Sequence, residues 1–190
     1  MTLRIVHAHE VLPEPWRNGG GSTRTLLCWP ASPEWAARVS VAEVPTNGPF
    51  SAYPGIERWF AVIDGAGVSL AFARAERRLE RDEAPLHFDG GEAPYCRLVD
   101  GPTRDLNFML RPGQGLMCSA VGGFAWRGSF ALRALFTTGP GHWLSDGQSQ
   151  ALSANTLLWS DEGSAAAWRF EPDDANTRAW WMGFTPTRAT

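Results

Sequence analysis

The sequence contains no lysine: all 17 basic residues are arginine, against 20 acidic residues and a net charge of −3. Without a basic excess there is no stripe to neutralise phosphates, which argues against nucleic acid as a partner. No run of about 18 apolar residues occurs, so no helical membrane span is expected. A charged segment followed by an apolar one is absent from Met1 to Trp16, and no secretory signal is read there. Cysteine is scarce: Cys28, Cys96 and Cys118 are odd in number and widely spaced. That suits reduced thiols in the cytoplasm better than a disulfide framework. Tyrosine is rare as well, at 2 residues against 10 tryptophans. Tryptophan brings a large apolar area and one donor, and most of the ten are expected to fill a core.

What is present is short strands and turns. The 44% apolar share of 190 residues is enough to build a packed core. Leu3 to Ala8, Thr23 to Trp29 and Tyr95 to Val99 read as strands, and Ala37, Val39 and Val41 alternate with Arg38, Ser40 and Ala42. Trp59 to Ile63 and Val68 to Ala73 flank Asp64-Gly65-Ala66-Gly67, the pattern of a hairpin. Ser145-Asp146-Gly147-Gln148 gives a second hairpin signal. Helical patterns are confined to Ser32 to Ala37 and to Ala71 to Arg81, where a strand competes. The expected class is an all-β antiparallel sandwich or barrel. Two lobes, 1–120 and 121–190, are expected to pack as one unit.

Three segments carry polar groups in positions suited to binding. Trp16-Arg17-Asn18-Gly19-Gly20-Gly21-Ser22-Thr23-Arg24 places three glycines among donors, where backbone can approach a ligand closely and form an anion-binding nest. It lacks the lysine of a P-loop and the spacing of a dinucleotide fingerprint. Asn47 to Arg58 is a rigid, turn-rich loop whose polar residues are Ser51, Glu57 and Arg58. Neighbours on a strand point to opposite faces, so at most one of Glu57 and Arg58 faces a given pocket. In Asp100 to Arg111, Asp105, Asn107 and Met109 share one strand face and Leu106, Phe108 and Leu110 the other. The polar face is either solvated or the lining of a cavity. Standard catalytic patterns are missing: there is no G-x-S-x-G elbow, no Cys-x-x-Cys, and His7 and His9 have no third ligand nearby.

The runs WRNGGGSTR, NGPFSAYPGIER and DGPTRDLNFMLRPG, in that order and separation, resemble the HutD/Ves family, bacterial proteins associated with histidine utilisation. The resemblance extends from Trp16 to Phe184. It departs at Thr25-Leu26 after Arg24, where the family usually has Glu-Ile, and at Gly91 after Phe88-Asp89-Gly90, where an acidic residue is common. It implies a two-lobed cupin-like fold (a bicupin of the RmlC-like jelly-roll type) in a cytoplasmic protein that binds a small molecule and has no established enzymatic activity. Urocanate and formylglutamate are the metabolites of histidine degradation that it brings into view. The His/His/Glu cluster of metal-dependent cupins is not present, so neither metal nor cofactor is expected.

The combined reading is a metal-free protein that binds a small carboxylate metabolite and modulates histidine utilisation. Arg17, Arg24 and Arg58 are the candidate carboxylate readers, since a guanidinium fork matches two carboxylate oxygens. Asn18, Gly19, Thr23, Ser51, Asp105 and Asn107 would orient the rest of the ligand, with Trp16 as an apolar wall. Beyond the metabolite, the expected partner is at most a second copy in a homodimer. The alternatives are a hydrolase or isomerase of the same metabolites using Asp105 as acid/base, or a structural or protein-binding module.

Overall fold

The computed structural model describes residues 1–17, 19–31 and 33–187. Among them the regular structure is strand, interrupted by two three-residue 3-10 turns, Ala8–Glu10 and Gly90–Glu92. Every strand pair is antiparallel. The sheets stay open at their edges and do not close into barrels. No helix of the described residues is long and apolar enough to cross a membrane.

The chain divides into two compact units, Val11–Pro112 and Met1–Glu10 with Gly113–Thr190. These differ from the division expected between 1–120 and 121–190. The first strand, Arg4–His7, pairs with Thr156–Ser160, and Gly113–Ser119 pairs with Ala179–Pro186, so hydrogen bonding places both with the C-terminal strands.

In the first unit a six-stranded sheet runs in the order Glu14–Pro15, Ser22–Trp29, Ala37–Val44, Thr103–Leu110, Glu57–Asp64, Leu86–Asp89. A four-stranded sheet follows the order Gly48–Pro49, Tyr95–Leu98, Val68–Ala71, Glu76–Leu79. One core joins them: Val44, Phe60 and Val62 from the larger sheet pack with Val68, Leu70, Leu79 and Cys96 from the smaller, and Phe50 and Phe88 complete it.

Two local expectations fail here for physical reasons. Asp64 to Gly67 does not close a hairpin; Glu57–Asp64 and Val68–Ala71 belong to different sheets, and the turn carries the chain across the core. Gly67 is required there: its φ is +119, and a Cβ would lie 2.4 Å from the Leu79 carbonyl oxygen. The helical pattern at Ala71 to Arg81 is instead the second half of a β-hairpin, with Val68 opposite Leu79 and Leu70 opposite Arg77. Leu79 is buried beside Val68, and burying it in the sandwich outweighs the high intrinsic helix propensity of this stretch of alanine, arginine and glutamate, since tertiary packing overrides propensity. The other helical candidate, from Ser32, begins outside the described residues; Glu34 and Trp35 are non-helical and Ala37 opens a strand.

In the second unit, Arg4–His7, Thr156–Ser160, Leu132–Thr137, Ala179–Pro186 and Gly113–Ser119 form a five-stranded sheet. Gln148–Leu152, Gly141–Ser145 and Arg169–Pro172 form a three-stranded one. The second hairpin expectation is met, since Ser145 faces Gln148 across a turn with positive φ at Asp146 and Gly147. The core is aromatic: Trp126, Trp143, Trp168 and Trp181 pack with Leu135, Leu158 and Phe170. Five tryptophans, 126, 143, 168, 180 and 181, are buried, and all five lie in this unit. The other five are half-buried, so tryptophan fills one core rather than both.

Candidate functional site

The polar face of Thr103–Leu110 turns inward. Its partners in register extend the pattern: Asn107 lies opposite Ser40 and Phe60, and Met109 opposite Arg38 and Arg58. Side chains of this face therefore gather at one end of the sandwich, past the point where the apolar core ends. They border a cavity of about 510 Å³.

Arg58 anchors it. Glu57 points to the opposite face, where its carboxylate meets His87 Nε2 at 2.5 Å, and Arg58 points in, at 6% exposure. Arg58 donates from Nε (2.9 Å) and Nη2 (2.5 Å) to the single Asn107 side-chain oxygen. Its guanidinium carbon lies 4.6, 5.4 and 5.8 Å from the ring centroids of Phe50, Phe88 and Phe60. Burial lowers its pKa to about 10, so it stays charged at neutral pH. A buried cation held by a neutral amide and three rings has positive potential left over for a ligand.

Asp105 does not cancel that charge at neutral pH. It is fully buried behind Asn107, one Oδ accepts from Thr103 Oγ1 at 3.1 Å, and the other has no partner among the described residues. Burial pushes its pKa up to about 8, against the opposing pulls of Thr103 and Arg58, which leaves the carboxyl mostly protonated at pH 7. Cys96 in the adjoining core is raised to about 12, first by burial and then by Asp105, so its thiol is not a nucleophile.

The Gly-rich loop closes one side. Trp16 Nε1 donates to Thr23 Oγ1 at 2.7 Å, and the Trp16 ring meets Phe50 edge-on at 6.4 Å. Gly21 lets this loop lie flat on the sheet, because a Cβ there would come 2.4 Å from the Glu43 carbonyl oxygen and 3.1 Å from the Trp16 ring. Arg17 stands exposed at the rim, while Arg38 is half-buried inside and donates to Thr25 Oγ1 at 3.0 Å. Among the described residues Glu14 is the one carboxylate on the wall, against three arginines, Arg17, Arg38 and Arg58.

Of the residues expected to form the site, Trp16, Arg17, Thr23, Ser51, Arg58 and Asn107 line this cavity together. Asn18 lies outside the described residues. Gly19 borders a neighbouring depression instead, with Ser22, Glu43 and Thr103. Asp105 is one layer too deep to line the wall. Arg24 lies apart from the others: strand alternation places it on the face opposite Thr23. There its Nη1 donates to the Val11 carbonyl (2.5 Å) and its Nε reaches Glu43 at 3.4 Å. It fastens the start of the unit to the sheet and is not among the cavity's lining residues.

Sequence reasoning missed Arg38, Ser40, Phe50, Tyr53 and Met109. The signal for the first two was present in the alternation of Arg38, Ser40 and Ala42 along their strand, the same polar-face pattern as Asp105 and Asn107.

A model of the HutD family matches residues 8–175. Protein Ves of Cronobacter sakazakii is 35% identical over 97 residues, covering 50% of this chain and 54% of that protein, so the chain spans about half the length of the curated relatives it matches. Among solved structures, a conserved protein of unknown function from Pseudomonas aeruginosa PAO1 aligns with a TM-score of 0.86 at 26% identity, over 97% of this chain and all of that one. HutD from Pseudomonas fluorescens SBW25 aligns with a TM-score of 0.85 at 23% identity, over 98% of this chain and 100% of that one. Chains with TM-scores of 0.69 and 0.66 at 8% and 10% identity extend the likeness to the wider cupin-like fold.

Proposed function

Because this chain belongs to the HutD family, we propose that its first unit binds a small carboxylate metabolite of histidine degradation, of the urocanate or formylglutamate type, and thereby modulates histidine utilisation. The observation that carries this reading is Arg58. A guanidinium at 6% exposure, whose hydrogen-bonding partner is the neutral side chain of Asn107, borders the cavity together with Arg38 and Arg17. An incoming carboxylate supplies the missing counter-charge, and in a site shielded from water such charge-assisted bonds are strong. Trp16, Phe50 and Tyr53 offer flat apolar surface to the body of a planar or short-chain ligand. A cavity of about 510 Å³ falls within the range of small-molecule sites. Cytoplasmic residence belongs to the same reading, since Cys28, Cys96 and Cys118 are all unpaired.

The test is a thermal-shift series with urocanate, formylglutamate, histidine and uncharged analogues. A ligand at about a hundred times its dissociation constant adds about 2.7 kcal/mol to stability. Stabilisation by one of the carboxylates, with the ligand recovered unchanged, is the expected result. No stabilisation by any member of the series overturns the proposal, and conversion of the ligand replaces it with an enzymatic one.

A further inference from the structure

The second unit also encloses a buried arginine, and this one has less to hold it. Arg133 lies on Leu132–Thr137, on the face that carries Leu135 into the tryptophan core, and is 1% exposed. Its guanidinium carbon sits 4.3 Å from the Trp168 ring centroid and 4.9 Å from that of Trp126. Nη1 donates to the main-chain oxygens of Ser164 (3.0 Å) and Ala166 (2.8 Å). Nε and Nη2 are buried and have no acceptor among the described residues. The same holds for Trp143 Nε1, Trp168 Nε1 and the hydroxyl of Ser145. Ser145 follows Trp143 by two positions on one strand, so these two share a face, and Trp168 packs edge-on against Trp143 at 5.3 Å.

Such a cluster is rich in donors and poor in acceptors. Indole and guanidinium only donate, and a buried donor left without an acceptor is costly. Nε and Nη2 form one edge of the planar guanidinium and point the same way. That edge matches the two oxygens of a carboxylate, whereas a halide offers a single point and an ammonium offers none. A cavity of about 520 Å³ adjoins the cluster through Ser145 and through Ala166, whose carbonyl already receives Arg133, while Arg133, Trp143 and Trp168 lie behind its wall. Arg127 and Arg169 also line it, against one carboxylate, Asp146.

We infer that the second unit holds an anion site of its own, in which Arg133 reads a small carboxylate side-on among Trp143, Trp168 and Ser145. The site is separate from the cavity around Arg58 and does not depend on what that cavity binds.

The test uses the whole protein labelled with nitrogen-15 and reads tryptophan indole and arginine Nε–H resonances during titration with sodium formate, with sodium chloride at equal ionic strength as reference. Indoles are assigned from Trp143→Phe and Trp168→Phe, and the Arg133 signal from Arg133→Lys, which keeps the charge and loses the fork. Formate should shift the Arg133, Trp143 and Trp168 signals saturably, and chloride should not. Arg133→Lys should weaken the response of the two indoles at least tenfold and leave that of Trp16, in the other unit, unchanged. Resonances that stay in place at high formate, or that move equally with chloride, overturn the proposal. An unchanged indole response in Arg133→Lys does the same. If that variant does not fold, the wild-type indole shifts decide alone.

Discussion

Arg24 and Arg58 both flank segments suited to binding, and replacing each separates a scaffold role from a site role. Arg58→Met keeps much of the side-chain volume and removes the charge from the cavity. A hydrogen bond to a charged group contributes about 1.5–3 kcal/mol, so affinity for a carboxylate should fall between about tenfold and more than a hundredfold. Stability moves less, because opposing effects meet at this position. The Asn107 side-chain oxygen loses both donors, at a cost of about 1–3 kcal/mol. Contacts of the cation with three phenylalanine rings are lost as well, while the desolvation penalty of a buried charge is relieved. Arg24→Ala should behave oppositely. It removes a partly exposed pair with Glu43 and a bond to the Val11 carbonyl, together worth about 1–2 kcal/mol, and leaves the cavity wall intact. Calorimetric titration with urocanate and formylglutamate, together with urea unfolding of each variant, gives the comparison. Undiminished affinity in Arg58→Met, or a tenfold loss in Arg24→Ala without loss of stability, would refute this assignment.

Further outcomes follow from the same geometry. Asp105 is protonated in the folded state up to about pH 8 but ionises near its ordinary value when unfolded. Between those limits the folded state binds the extra proton, so its contribution to stability is full below about pH 4 and is lost as pH rises through 8. Urea midpoints measured from pH 5 to 9 should fall less steeply for Asp105→Asn than for the wild-type protein. Ionisation of Asp105 above pH 8 also places a negative charge behind Arg58, so carboxylate affinity should weaken there in the wild type and hold level in Asp105→Asn. Gly21→Ala drives a methyl group against the Glu43 carbonyl and Trp16; unfolding should show a loss of about 1–3 kcal/mol, and binding should weaken with it. Trp16→Phe removes the bond to Thr23 and one apolar wall, and it should abolish any ligand-dependent change in Trp16 fluorescence without unfolding the protein. Elemental analysis after chelation should find no stoichiometric zinc, iron or manganese; one retained equivalent would contradict the metal-free reading.

Strand identity was largely legible because alternation is a local signal: Ala37 to Val41 and Asp105 to Phe108 carry it within Ala37–Val44 and Thr103–Leu110. Partner choice was not. The sequence around Asp64 to Gly67 is compatible with a hairpin, and only the packing of Val62 and Val68 into one core shows that the turn crosses between sheets. Arg24 illustrates the same limit at the site. Its neighbourhood pointed to a ligand, yet its face depends on strand parity relative to Thr23, which the Gly-rich loop leaves undetermined until the register with Ala37–Val44 is known. Arg58 and Asn107 were both legible as polar residues, but their contact joins positions 49 residues apart and follows from the shared register of two strands. Asp105 was legible as polar on a face that could be either solvated or cavity-lining, and its depth depends on how far the cavity extends past Asn107. Arg133 carried no local signal, because an arginine within an apolar strand looks like any solvated edge residue until Trp126 and Trp168 are brought over it.

The central claim is that the cavity of the first unit reads a negative carboxylate through Arg58, and calorimetric titration of the wild-type protein with urocanate and with its carboxamide tests it most directly. The two ligands share shape and ring and differ in charge at the contacting group. The account predicts saturable binding of one urocanate at this cavity and at least tenfold weaker binding of the amide, the equivalent of about 1.4 kcal/mol. Equal affinity for both, or no saturable heat with either, would contradict it.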